Sequence, residues 1–207
     1  MKTLLELIES NPLLKSDKRH FKKGEILFHE DENCDAIYIL EDGEVSISSY
    51  TLSGAEIVYN DVKAGEMFGN NLLFSSDNRF RGNVIGLKEG SIYIISKSKL
   101  IQALQSDQEF LELYLKTQSD FGKSLNAKLK ILSFDKARER LEFFLSMHQG
   151  EIAFKSISEL ARSLFLKRET LSRLLSQMEE EGKITRLKHR IKMETGIQKP
   201  DENKEPE

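Results

Sequence analysis

The stretch Arg168-Glu169-Thr170-Leu171-Ser172-Arg173-Leu174-Leu175-Ser176-Gln177-Met178 decides how this chain of 207 residues is read. Leu171, Leu174, Leu175 and Met178 recur at i, i+3, i+4 and i+7, the spacing that puts apolar side chains on one helix face. Glu169, Ser172, Arg173 and Ser176 then fall on the opposite face. Gly182 stops this helix, which spans 168–181. Upstream, Ile157, Leu160, Ala161 and Leu164 repeat the spacing over 157–164, so a second short helix precedes a tight connection. Downstream, 184–193 reads as a basic β-hairpin. Two short helices, a tight connection and a hairpin describe a winged helix-turn-helix.

The polar face of the helix 168–181 carries the chemistry. Arginine donates bidentately to guanine O6 and N7, and glutamate accepts from cytosine N4. Arg173 and Glu169 near the helix start suit that task, with Thr170 and Ser172 beside them. Lys167 and Arg168 suit phosphates. The plainer reading is a solvated face with a Glu169–Arg173 ion pair across one turn. Residues 150–196 hold 10 Lys and Arg against 7 Asp and Glu, net +3, inside a chain of net charge −3. A basic C-terminal module on a mildly acidic body fits a protein that meets nucleic acid at one end. In the hairpin, Lys188 and Arg190 are the candidate backbone contacts.

Working toward the N-terminus, 137–147 reads as a further helix with Leu141, Phe144 and Leu145 on one side. Before it, Leu111, Gln118, Leu125 and Leu132 recur every seven residues, and Leu115, Gly122 and Leu129 sit four after the first three. This is a heptad-like seam on a helix over about 107–132, and such a seam can bury itself against a second copy. The alternative is a long helix packed on its own barrel. Residues up to about 100 change texture. Short apolar pieces at 24–28, 36–40, 44–48, 57–59 and 91–95 are separated by turn signals at 41–43, 53–54, 64–66 and 89–90. That spacing suggests an antiparallel barrel or sandwich, preceded by a short helix at about 3–10. The class is α+β. The expected units are 1–106, 107–134, 135–196 and a disordered polar tail, 197–207.

Composition excludes several function classes. Hydrophobic residues make up 39 % of the chain and charged residues 31 %, compatible with a packed core. No apolar run approaches the ~18–20 residues that span a bilayer, and the start MKTLLELIES carries acids where a signal peptide is apolar. A cytoplasmic protein with no membrane partner is expected. Cys34 is the only cysteine, which excludes a disulfide, a Cys-rich zinc site or a four-cysteine cluster within one chain. A barrel metalloenzyme needs clustered histidines, and only His20 and His29 lie in the barrel region, without a His-x-His pair. No catalytic constellation, metal site or cofactor is expected. Cys34 stands among Asp31, Glu32 and Asp35, whose charges should raise its thiol pKa.

With those residues in hand, the chain resembles a family. Arg168-Glu169-Thr170-Leu171-Ser172-Arg173-Leu174-Leu175 and Glu181-Gly182-Lys183-Ile184 look like the recognition helix of the cyclic-AMP receptor protein/fumarate-nitrate regulator (Crp/Fnr) family of bacterial transcription factors. Gly24-Glu25-Ile26-Leu27, Tyr38-Ile39-Leu40-Glu41-Asp42-Gly43-Glu44-Val45 and Ala64-Gly65-Glu66-Met67-Phe68-Gly69 resemble its cyclic-nucleotide-binding β-roll. The resemblance runs in order over about 20–193 and implies a homodimer on double-stranded DNA. It also implies a near-palindromic TTGA- or TGTGA-like site read by Glu169 and Arg173, with Arg168 on a base or on a phosphate, half-sites about 34 Å apart, and RNA polymerase as a further partner. The hinge falls at Asp135, and no iron–sulfur cluster or haem is implied.

The same resemblance places an effector near Gly69, Asn70, Asn71, Arg81, Gly82 and Ser124. Asn70 stands where cyclic-AMP binders carry glutamate, and Phe80 where they carry the phosphate-gripping arginine. A one-residue shift in a strand turns a side chain to the other face, so cyclic AMP is not the expected effector. The connection between the two helices has Phe165 where glycine is frequent, and Lys167 stands at the N-cap, where it opposes the helix dipole unless phosphate is near. The rival function is a small-molecule-binding module that acts on a protein partner, which leaves the basic helix unexplained.

Overall fold

The computed structural model describes residues 3–12, 14 and 17–194; the tail 197–207 lies outside the described residues. In chain order the elements are α1 (Leu4–Ser10), β1 (Lys18–Phe21), β2 (Ile26–Phe28), β3 (Ala36–Tyr50), β4 (Glu56–Lys63), β5 (Met67–Phe68) and β6 (Asn83–Ser96). Then follow α2 (Lys97–Ser106), α3 (Gln108–Ser133), α4 (Ala137–Met147), β7 (Glu151–Ala153), α5 (Ile157–Ser163), α6 (Arg168–Glu180), β8 (Ile184–Leu187) and β9 (Arg190–Met193). The chain divides into two compact units, with the division inside α3 between Asp120 and Phe121.

In the N-terminal unit the strands run in the order β1-β6-β3-β4, with β2 paired to β6 and β5 to β3, all antiparallel. The continuous apolar run Ala36–Leu40 is buried on both faces. Ile37 and Ile39 face one core, which includes Leu7, Ile8, Leu100, Phe110 and Tyr114. Ala36, Tyr38 and Leu40 face the other, built around Phe28, Phe68 and Phe80. The period of two sorts the run between two layers, and each buried large apolar side chain contributes about 1.5–3 kcal/mol.

The turn signals at 41–43 and 89–90 do not end strands. They lie inside β3 and β6, opposite one another. A Cβ on Gly43 would stand 2.6 Å from the carbonyl oxygen of Glu89, and one on Gly90 2.1 Å from that of Asp42. The two backbones touch here, and the pairing register slips between Leu40 and Asp42 and again between Asp42 and Glu44. The long strands therefore bend where a sequence reading breaks them.

Besides the short strands β1 and β5, which the expected apolar pieces leave out, α2 and β7 were not expected. α2 starts on Ser96, whose hydroxyl accepts the Lys99 amide, and buries Leu100 and Ala103. β7 follows left-handed Gln149 and Gly150, pairs with β9 and buries Ile152. With β8 it completes a three-stranded sheet in the order β7-β9-β8. The core of this C-terminal unit joins Leu141 and Leu145 of α4, Leu160 of α5, Leu171, Leu175 and Met178 of α6, and Ile184 and Ile191 of the sheet. The expected bounds of the helix 137–147 and the hairpin 184–193 coincide with α4 and with β8–β9.

Candidate nucleic-acid interface

The apolar stripe of α6 is buried as its spacing requires: Leu171, Leu175 and Met178 are fully enclosed and Leu174 is half-buried. The opposite face is exposed at Arg168, Glu169, Ser172 and Arg173, and Thr170 is half-buried beside them. With Ile157 of α5, the four exposed residues line a recess of about 290 Å³. Ile157 went unmarked in the sequence because its helix spacing marks it as core. The N-cap, Lys167, has extended backbone and makes no side-chain capping bond. The connection before it turns through Phe165 at φ +53°, the left-handed conformation for which glycine is the usual residue.

Three arginines of the C-terminal unit that lie off this face are paired with carboxylates. Arg138 of α4 binds Glu142 at 2.9 Å and Glu181, just beyond α6, at 2.7 Å. Hydrogen bonding to these carboxylates raises its pKa, and Arg138 in turn lowers that of Glu181. Arg186 binds Glu179 at 2.7 Å, and Arg190 binds Glu151 at 3.4 Å. Among the described residues, Lys167, Arg168, Arg173 and Lys188 have no ion-pair partner, and neither has Glu169. The intrahelical Glu169–Arg173 pair is not formed. Lys188 and His189 make the tip of the β8–β9 hairpin, with Arg190 beside them.

Along α3, Phe110 and Tyr114 are buried, while Leu115, Leu125, Leu129 and Leu132 are 43–65 % exposed. Leu111 and Gln118 are half-buried, and a Cβ on Gly122 would meet open space. The seam residues thus form a largely uncovered stripe on a helix of 26 residues.

In the β-roll, Phe80 is 1 % exposed and stacks on Phe28 with ring centroids 4.9 Å apart. Tyr38 stacks in turn on Phe68 at 5.0 Å. Arg79 and Arg81, on either side of Phe80, both turn to the half-buried Asp77, at 3.0 and 2.9 Å. The hydrogen bond from Arg79 is the larger cause that holds the Asp77 carboxyl below its ordinary range. Asn70 is buried, and its Nδ2 donates to Oε1 of Gln118 at 3.0 Å. Gly69 has φ +78°, and a Cβ there would lie 2.9 Å from Cys34 Sγ. Gly82 packs against the Ser48 carbonyl, while Asn71 and Ser124 are exposed. Cys34 is fully buried, and its thiol donates to the Ala36 carbonyl. Burial is the main cause that pushes this thiol up to about 11, ahead of the charge of Asp35.

Residues 18–107 match the family model of the cyclic nucleotide-binding domain. Over 193 residues the chain is 22 % identical to the anaerobic regulatory protein of Bacillus subtilis, covering 88 % of this chain and 79 % of that one. Over 172 residues it is 26 % identical to the cyclic AMP receptor protein of Thermus thermophilus, covering 80 % and 78 %. The chain is thus similar, along most of its length, to regulators of the Crp/Fnr family. The fold agrees along nearly its whole length. The structure of a CooA mutant from Carboxydothermus hydrogenoformans superposes with a TM-score of 0.72 at 19 % identity, covering 93 % of this chain and 91 % of that one. No helix among the described residues is long and apolar enough to cross a membrane.

Proposed function

We propose that this chain is a homodimeric transcription regulator of the Crp/Fnr type that reads double-stranded DNA through α6, presented by a winged helix-turn-helix. The observation that carries this reading is the unpaired polar face of α6. Arg168, Glu169, Ser172 and Arg173 share an exposed recess, while Arg138, Arg186 and Arg190 around them are paired with carboxylates. A side chain that has no internal partner reaches a base edge without first breaking an ion pair. Arg173 and Glu169 are assigned to bases of a TTGA- or TGTGA-like half-site, with Thr170 and Ser172 beside them. Lys167, Arg168 and Lys188 are assigned to phosphates, and Arg190 joins them by leaving Glu151. The uncapped Lys167 fits this role, because bound phosphate reverses its unfavourable interaction with the helix dipole.

The second copy is assigned to the exposed stripe of α3: Leu111, Leu115, Gln118, Gly122, Leu125, Leu129 and Leu132. Pairing two copies there covers apolar surface and supplies the symmetry that a palindrome requires. Cyclic AMP is not the proposed effector of the β-roll. The phosphate-gripping position holds Phe80 in an aromatic stack, and the ribose position holds Asn70, tied to Gln118.

Fluorescence anisotropy of a labelled TTGA…TCAA duplex against a scrambled duplex, with no ligand added, tests the reading. Selective binding that weakens steeply as salt rises is the expected result, because phosphate contacts release counterions. Equal affinity for both duplexes at every salt concentration, with equally poor enrichment of any site from random DNA, would overturn it.

A further inference from the structure

Arg140 lies in the first turn of α4 and has no carboxylate partner among the described residues. Its guanidinium is bonded to backbone instead. Nε donates to the Phe134 carbonyl at 2.9 Å. Nη1 donates to the Phe165 carbonyl at 3.1 Å and to the Leu164 carbonyl at 3.4 Å. Phe134 follows the last residue of α3, while Leu164 and Phe165 begin the connection into α6. All of these residues lie in the C-terminal unit. The carbonyls at a helix end have no partners within the helix, so a donor here meets a standing need. The connection also needs to be held, because Phe165 takes a left-handed conformation that disfavours a side chain. The planar fork of arginine can hold several carbonyls in fixed directions, which a lysine ammonium does not do.

We propose that Arg140 is a positioning residue for the reading helix: its guanidinium holds the strained Leu164–Phe165 turn by its carbonyls and fixes it to the end of α3. This explains how Phe165 is tolerated where a glycine is common. It also gives the C-terminal end of α3 a direct handle on the segment that aims α6. The proposal rests on α6 being the helix that reads DNA, so its test has one arm with DNA and one without.

The full chain is compared with Arg140→Gln, Arg140→Lys and the double variant Arg140→Gln/Phe165→Gly. Without DNA, amide hydrogen exchange at 164–168 should quicken about tenfold in Arg140→Gln, with amides of the β7–β9 sheet unchanged. Arg140→Lys, which keeps charge and stem, should behave as Gln does. With DNA, the ratio of specific to scrambled affinity should fall by about the same factor. Phe165→Gly, which removes the strain, should recover most of both losses. Unchanged exchange at the turn in both single variants would overturn the proposal. So would exchange raised equally across the whole unit, or a double variant no better than Arg140→Gln. A wild-type chain without selectivity would overturn the reading of α6 and leave the exchange arm to decide the clamp.

Discussion

Arg81 and Arg173 carry the same guanidinium in opposite circumstances. Arg81 stands at the surface of the β-roll with a carboxylate oxygen of Asp77 at 2.9 Å, and Arg79 shares that carboxylate. Arg173 stands on α6 with no carboxylate within ion-pair distance among the described residues, although Glu169 is one helical turn away. An anion reaching Arg81 competes with an existing partner, whereas one reaching Arg173 does not. The same contrast holds around them. The β-roll buries Phe80, flanked by Arg79 and Arg81, in an aromatic stack, and the face of α6 leaves its polar groups open. Two arginine-bearing surfaces can therefore differ in what they bind through the pairing of their charges, which composition alone does not show.

The largest effect that sharpens this contrast is on the aromatic side. Phe80→Ala should destabilise the N-terminal unit by about 3–5 kcal/mol, read by denaturant unfolding, because a fully buried ring leaves a cavity. A cost near zero would mean that the ring does not fill the barrel. Next, Arg173→Ala should lower discrimination between specific and scrambled DNA by about 1–3 kcal/mol, while folding stability moves by no more than about 0.5 kcal/mol. Equal losses on both duplexes would make Arg173 a phosphate contact.

A smaller, pH-dependent effect separates a paired carboxylate from an unpaired one. Lys18, with Ser91 and Tyr93, holds Glu41 down to about 2. A carboxylate depressed in the folded state adds stability above its ordinary pKa, and that stability is lost as pH falls from about 4.5 to about 2. The melting-temperature difference between wild type and Glu41→Gln should therefore be present at pH 7 and shrink across that window. Glu169→Gln, which removes a carboxylate without an ion-pair partner, should leave the melting temperature at pH 7 nearly unchanged. The smallest effect belongs to Asp77→Asn. It should leave the melting temperature nearly unchanged, as exposed pairs contribute little, yet make Arg79 and Arg81 detectably more attractive to inorganic phosphate by titration.

How much of this was readable in the residues differs by the range of the interaction. The bounds of α4 and the stripe of α6 follow from spacing within a dozen residues, and so does the set Arg168, Glu169, Ser172 and Arg173. The bend in β3 was not readable, because Glu41-Asp42-Gly43 has the composition of a turn. Only the approach of Glu89 and Gly90 from the partner strand shows that the chain continues. β7 is three residues long and exists through its pairing with β9, about forty residues away. Phe165 was visible as an odd residue in a glycine's place. Its remedy, Arg140, was not, since a guanidinium bonded to backbone carbonyls 24 and 25 residues distant leaves no complementary side chain to notice.

Cys34 gives the molecule a built-in timer. It is the only thiol in the chain, it is fully enclosed, and its proton is held up to about 11, so an alkylating or disulfide reagent finds almost no thiolate to attack in the closed state. Labelling must then wait for the β-roll to open around Gly69 and Ala36. The rate at which a full-length sample takes up one equivalent of reagent reports openings of the N-terminal unit alone, while the C-terminal unit stays silent. A small molecule that settles in the β-roll would announce itself by slowing that uptake, whatever its chemical identity.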